Sequence, residues 1–202
     1  MAQGGITVEL KGYKKLIKQI KTLDKKGQAA LQRTVSDMKK RMPGPIATQV
    51  GKFYSIDKTE INPNSSKATP GKEAAKIKIK RKKVAELALV YEGRVLTPYG
   101  HGFNLKPTQP DPEAKKQRIT FKVKKKNQVL KGKHGTVFLA PTKKGGDTYI
   151  PFQRIPSTGA LEVIRTVAVP EMIDNPQVNE AIHARIDEIM AKRLRNNFKG
   201  LI

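Results

Sequence analysis

The last third of the chain constrains its fold more than any other stretch. Val178, Ile182, Ile186, Ile189, Met190, Leu194, Phe198 and Leu201 recur at steps of three and four, which places them on one stripe of an α-helix. A helix striped in this way has to bury that stripe, against its own sheet or against another subunit. Asn175-Pro176 supplies the start, since an asparagine side chain accepts from an early helical N–H and proline has none to leave unpaired. Glu180, Asp187 and Glu188 lie in the first half, and Lys192, Arg193, Arg195 and Lys199 crowd the end. That polarity suits the helix dipole, and Gly200 is a suitable stop. Just upstream, Leu161 to Val169 reads as a strand that Pro170 ends, because proline cannot donate to a ladder. The predicted unit is strand, turn and packing helix, with Val178, Ile182, Ile186, Ile189 and Leu194 as its packing or intersubunit residues.

The preceding chain supplies what this helix covers. Ile6 to Leu10 alternates like a short opening strand, and Tyr13, Leu16, Ile17, Ile20 and Leu23 form a helical stripe with lysines on the wet side. A second helix is predicted from Lys25 to Met42, with Leu31, Val35, Met38 and Met42 inward. Pro43-Gly44-Pro45 should break or kink it, leaving a turn or two of helix towards Phe53 and Tyr54. Ala75 to Lys80 alternates apolar with Lys, Val84 to Tyr91 reads as a more buried strand, and Ile119 to Lys124 alternates again. Thr136 to Ala140 and Thr148 to Phe152 read as a hairpin closed by Gly145-Gly146-Asp147, which supplies positive φ cheaply. Helices first, then grouped strands, then one helix predict an α+β fold. Its sheet is mostly antiparallel, of about five to six strands, with the C-terminal helix packed on it. Residues 1–202 form one domain in this reading. Two arms leave it, at about 61–72 and 93–117, where turn formers crowd out apolar residues. Tyr99, Phe103 and Leu105 give the second arm a small anchor of its own.

Charge is the feature that bears on partners. The chain carries 41 Lys and Arg against 17 Asp and Glu, a net charge of +24, so it favours polyanions or acidic protein surfaces. Between Lys67 and Lys133 there are 19 basic and 5 acidic residues. Lys76, Lys78 and Lys80, and Lys122 and Lys124, would each line one side of a strand. Arg81, Lys82 and Lys83, and Lys124, Lys125 and Lys126, extend those rows. Lysine rows without interleaved aromatics suit contact with a phosphate backbone and offer little for reading bases. The same rows also serve as a solvated face that discourages edge-to-edge aggregation.

Signs of catalysis are sparse. The sequence contains no Cys, which excludes disulfides and thiolate metal sites and fits a reducing compartment. His101, His134 and His183 stand at no metal-ligand spacing, and no paired-carboxylate or nucleophile-elbow pattern is present. The expectation is a protein that is not an enzyme and takes no cofactor or metal. It is also expected to have no membrane segment and to be made in a cytoplasm, because no apolar run approaches the roughly 20 residues that span a bilayer.

Several separated stretches resemble the minor tail protein Z family of bacteriophage tails. Paired N-terminal helices lead into Lys52-Phe53-Tyr54-Ser55-Ile56, and Glu92-Gly93-Arg94-Val95-Leu96 follows a strand pair. Phe138-Leu139-Ala140, the run Tyr149 to Arg154, and Val169-Pro170-Glu171-Met172 before a helix with a basic end complete the likeness. Residues 61–72 and 100–112 depart from it. The resemblance implies a virion protein acting in tail completion at the head–tail junction, or neck. It implies a small α+β subunit in a homo-oligomeric ring, hexameric by expectation, made in the host cytoplasm. Partners would be tail terminator and head-closure proteins, with genomic DNA passing through the lumen. Charge alone would favour a different reading, a sequence-nonspecific nucleic-acid-binding protein of ribosomal or chromatin type.

Overall fold

In the computed structural model of the chain, the closing helix begins where the sequence says it should. The Asn175 side chain accepts from the Gln177 N–H at 3.2 Å, and proline occupies the first turn. The structure describes residues 4–9, 25–62, 65–67, 75–81, 87–113, 117–142 and 146–199, with 4–9, 75–81 and 87–89 described through their backbone. The helix predicted over Tyr13 to Leu23 lies outside the described residues, as do Lys82, Lys83 and Gly200. The first elements are strand β1 (Gly4–Glu9), helices α1 (Lys25–Arg41), α2 (Pro43–Phe53) and α3 (Lys58–Ile61), and strands β2 (Ala75–Arg81) and β3 (Leu87–Gly93). Short strands β4 (Thr120–Phe121), β5 (Gln128–Val129), β6 (Phe138–Pro141), β7 (Tyr149–Arg154) and β8 (Leu161–Val163) follow, then α4 (Val169–Asp174) and α5 (Pro176–Phe198). All pairings between these strands are antiparallel. The fold is α+β, with its strands divided into sheets ordered β1-β3-β2, β4-β5 and β6-β7-β8.

The chain divides into two compact units, 1–50 with 58–94 and 169–202, and 51–57 with 95–168. In the first unit β3 is central, and α4 packs on β1 and β3 while α1 reaches β3. The C-terminal helix α5 joins this helical layer, against α1 and α4. Burial follows a four-residue period: Val178, Ile182, Ile186 and Met190 are buried on α5. They face a layer that includes Ala30, Leu31, Thr34, Val35 and Met38 of α1, all buried. Thr34 is polar amid these apolar neighbours, and it is satisfied. Its hydroxyl donates to the Ala30 carbonyl and accepts from Asn197 Nδ2, both at 3.0 Å.

Two helix ends differ from the sequence reading. The Pro43-Gly44-Pro45 triplet ends α1, yet it starts a helix of 11 residues, not a brief extension. Proline at a first helical position loses no hydrogen bond, and the Ile46 N–H reaches the Met42 carbonyl at 3.1 Å to carry the chain across. Ile61, placed by the sequence reading in an arm with almost nothing to bury, closes α3 and is fully buried.

Tyr91 on β3 is fully buried, and its hydroxyl has no hydrogen-bond partner. Burial holds its pKa well above the usual tyrosine range. An unpaired buried hydroxyl is a liability, so Tyr91→Phe should stabilise the protein by about 1 kcal/mol in denaturant unfolding at neutral pH. Above about pH 10 the unfolded phenol ionises while the folded one stays neutral, so wild-type stability falls with rising pH. The Phe variant should fall less steeply over that range; equal slopes would show that Tyr91 is hydrated.

In the second unit, the stretch 95–105 sends some of its side chains inward, although Tyr99, expected to anchor it, is exposed. Phe103 and Leu105 are buried with Leu96, Ile119, Phe121, Val123 and Leu130. The backbone explains how a Pro- and Gly-rich stretch achieves this. Lys106 and Thr120 exchange hydrogen bonds at 2.8 and 2.7 Å, and the Lys122 N–H reaches the Phe103 carbonyl at 2.6 Å. Gly102, at φ +82°, lies so close to Ser55 and Asp57 that a Cβ would stand 2.9 Å from the Ser55 carbonyl oxygen. Only glycine fits there. Residues 108–113, beyond this region, are exposed.

Candidate interaction surfaces

The residues that sequence analysis singled out fall into three groups. Lys76, Lys78 and Lys80 lie on β2, an edge strand paired with β3. Its register sets them opposite Glu92, Val90 and Ala88, and Arg81 opposite Leu87. Edge strands that carry lysines resist unprogrammed pairing, and they also leave a backbone row open to a chosen partner. Lys122, Lys124, Lys125 and Lys126 lie in the other unit. They do not form the strand row expected of them, because β4 ends at Phe121. Lys122 is half-buried while Lys124, Lys125 and Lys126 are exposed. The chain turns away because its next backbone partner is not the sheet. Tyr54 and Lys124 form an isolated bridge, and the Ser55 N–H reaches the Val123 carbonyl at 2.7 Å.

The third group is the helix stripe. Val178, Ile182 and Ile186 are within 1% of complete burial, so these residues serve the first unit's own core. Ile189 and Leu194 are only half-buried, and Met190 takes the interior place assigned to Ile189. The i, i+4 series from 178 to 190 turns through the core-facing arc, and Ile189 sits at its margin.

One polar constellation was not foreseen from sequence. Gln153, on β7, is buried, and its amide nitrogen donates to Glu162 Oε2 at 2.6 Å. Its amide oxygen accepts from the His134 N–H at 3.1 Å. His134 Nε2 stands 3.8 Å from the same Glu162 oxygen. Gly132 makes this packing possible, since a Cβ there would meet Gln153 Oε1 at 2.6 Å and the Gly135 carbonyl oxygen at 2.8 Å. The arrangement ties the loop at 131–135 to β7 and β8; chemically it is a clamp. The available signal was an amide at an inward strand position two residues beyond Pro151, together with glycines at 132 and 135. Among the described residues no group of three or more His, Cys, Asp and Glu side chains is placed to hold a metal ion. No helix among them is long and apolar enough to cross a membrane.

A cavity of about 380 Å³ opens in the first unit at the start of α2. Lys58 and Arg185 stand at its wall with Pro45, Thr48, Gln49 and Asn62. A second cavity of similar volume in the other unit is lined by Arg118, Ile119, Val129, Leu130, Lys131 and their neighbours. Comparison with known proteins adds no assignment: no protein family, curated sequence or solved structure gives a significant match.

Proposed function

We propose that this protein is a structural subunit of a bacteriophage tail, acting in tail completion at the head–tail junction as part of a homo-oligomeric ring around the DNA conduit. The observation that carries the reading is the run of family-like segments, which coincide with joints of the fold. Lys52 to Ile56 contains the exit of α2 and the Tyr54–Lys124 bridge. Glu92 to Leu96 leads out of β3, and Val169 to Met172 opens α4. Phe138 to Ala140 and Tyr149 to Arg154 pair as β6 and β7. Segments at such positions are where a shared fold constrains sequence, because each fixes a turn or a pairing. A basic subunit with lysines on β2, at the edge of its described sheet, and on an exposed loop also suits a ring that encloses DNA.

Mass spectrometry of purified particles tests the proposal directly. The protein should be present at a fixed low copy number in intact particles and in isolated tails. Its absence from particles, with abundant protein in the lysate, would overturn it.

The +24 charge keeps the nucleic-acid-binding alternative in view. Binding to duplex DNA should be sequence-blind, with affinity falling steeply as salt rises. Replacing Lys124, Lys125 and Lys126 by Gln should reduce the slope of log K against log salt by about 0.9 for each phosphate no longer neutralised. The triple replacement of Lys76, Lys78 and Lys80 tests the β2 edge in the same way. A slope indifferent to both sets would assign the lysines to solvent or to an acidic protein neighbour.

A further inference from the structure

The cavity beside α2 has the chemistry of a carboxylate receptor with a polar floor. Gln49 is only 7% exposed and lines the cavity. The Oδ1 atom of Asn62 is buried and has no hydrogen-bond partner. Groups of this kind are costly unless something satisfies them. Arg185 is already paired with Glu188 on the next turn of α5. Lys58 has no ion-pair partner among the described residues, so the cavity offers one uncompensated cation. One net positive charge matches a monoanionic carboxylate better than a phosphate dianion. The Asn62 oxygen calls for a donor such as a peptide N–H, and Pro45 gives the wall an apolar surface for methylene or proline carbons.

A ligand of that description is present in this chain. Pro107-Thr108-Gln109-Pro110-Asp111-Pro112-Glu113 contains two acids and no base, an exception in so basic a protein, and residues 108–113 are all exposed. The tip is held in shape: Asp111 Oδ1 accepts from the Glu113 N–H at 3.0 Å, and Gln117 Nε2 donates to the Gln109 carbonyl at 3.0 Å. Pre-ordering lowers the entropy lost on docking. We propose that the cavity at Lys58, Gln49 and Asn62 receives the acidic 107–113 tip of a second copy of this chain, with the Glu113 carboxylate at Lys58. Such an interface joins different patches on the two copies, the heterologous kind that generates rings or filaments. It rests on the reading that the chain assembles with itself.

Two charge reversals in the full chain test it by sedimentation. Lys58→Glu makes the cavity acidic, and Glu113→Lys makes the tip basic while leaving the Asp111 turn in place. Each variant alone should lose self-association. Mixing the two should restore it, because the acidic tip of one finds the basic cavity of the other, and the basic tip finds the acidic cavity. A labelled peptide of residues 107–113 should bind the wild-type chain, and Lys58→Glu should weaken it by about tenfold or more. Rings that form equally well with either substitution would overturn the docking and leave the ring reading standing. A chain that binds the peptide through Lys58 yet stays monomeric would overturn the ring reading and keep the cavity's chemistry. Displacement of the peptide by inorganic phosphate as readily as by unlabelled peptide would overturn the peptide assignment.

Discussion

Ile186→Asp should cost the protein about 3–5 kcal/mol, most of the stability that a domain of this kind has to spare. Ile186 is 1% exposed and lies between Ile182 and Met190 on the face of α5 that joins α1. Aspartate there removes the apolar burial and leaves a carboxylate without a partner. The alternative to ionisation, a protonated acid, still loses the packing. The measurement is the denaturant midpoint, with Ile189→Asp as control. Ile189 lies on the same helix but is half-buried, so its replacement should cost about 1 kcal/mol. Equal losses at the two positions would mean that α5 is buried all round, by another subunit as well as by its own.

The contrast between these two isoleucines shows what the sequence made legible. A helix start is local chemistry, and Asn175-Pro176 carries it in two residues, so α5 could be placed to within a residue at its N-terminus. The β6–β7 hairpin was legible for the same reason, because its partners lie close in sequence. Leu161 to Val169 misled. The strand β8 ends at Val163, although Arg165 to Val169 keeps β-branched residues. The reason is remote: Ile164 N–H bonds to the Pro151 carbonyl, and Thr166 N–H to the Leu96 carbonyl. The chain leaves one sheet to pair with a residue 70 positions away. Pro170 does not close a strand but sits in the first turn of α4, where its missing N–H costs nothing.

The inward part of the second arm was hidden by the same physics. Local composition from Gly93 to Pro112 is that of an exposed loop, and bonds to distant backbone turn part of it inward, among them the Lys106–Thr120 exchange, the Phe103–Lys122 bond and the Leu96–Thr166 bond. Glycine at 102 was visible, but not what it approaches. The Gln153 clamp shows the limit from the polar side. A buried amide is identified by its partners, and His134 and Glu162 lie 19 and 9 residues away on different elements. The lysine rows were legible as charge and only partly as geometry. Alternation at 76, 78 and 80 was enough to place a strand, whereas 122 and 124 alternate in a segment that has already left its sheet.

Loss of the protein should leave particle production stalled at joining, with infectious titre reduced to a small residue. This is the largest effect expected, and it follows from the proposed place in assembly. A completion subunit acts after tails have polymerised and apart from the machinery that fills heads. A null mutant should therefore accumulate DNA-filled heads and tails of near-normal length, separate from one another in electron micrographs. Ile186→Asp should reproduce that phenotype to the extent that it lowers the folded population, since a deficit of several kcal/mol removes most folded protein in the cell. Ile189→Asp should be close to normal. Empty heads would instead assign the protein to packaging, and tails of uncontrolled length would assign it to length control. Lys58→Glu gives the sharpest separation of folding from assembly. It changes an exposed side chain at the start of α3, so the purified variant should melt like wild type. If the ring is what joins tail to head, that variant should nonetheless show the null phenotype. Normal infectivity from a null mutant would remove the tail-completion reading altogether.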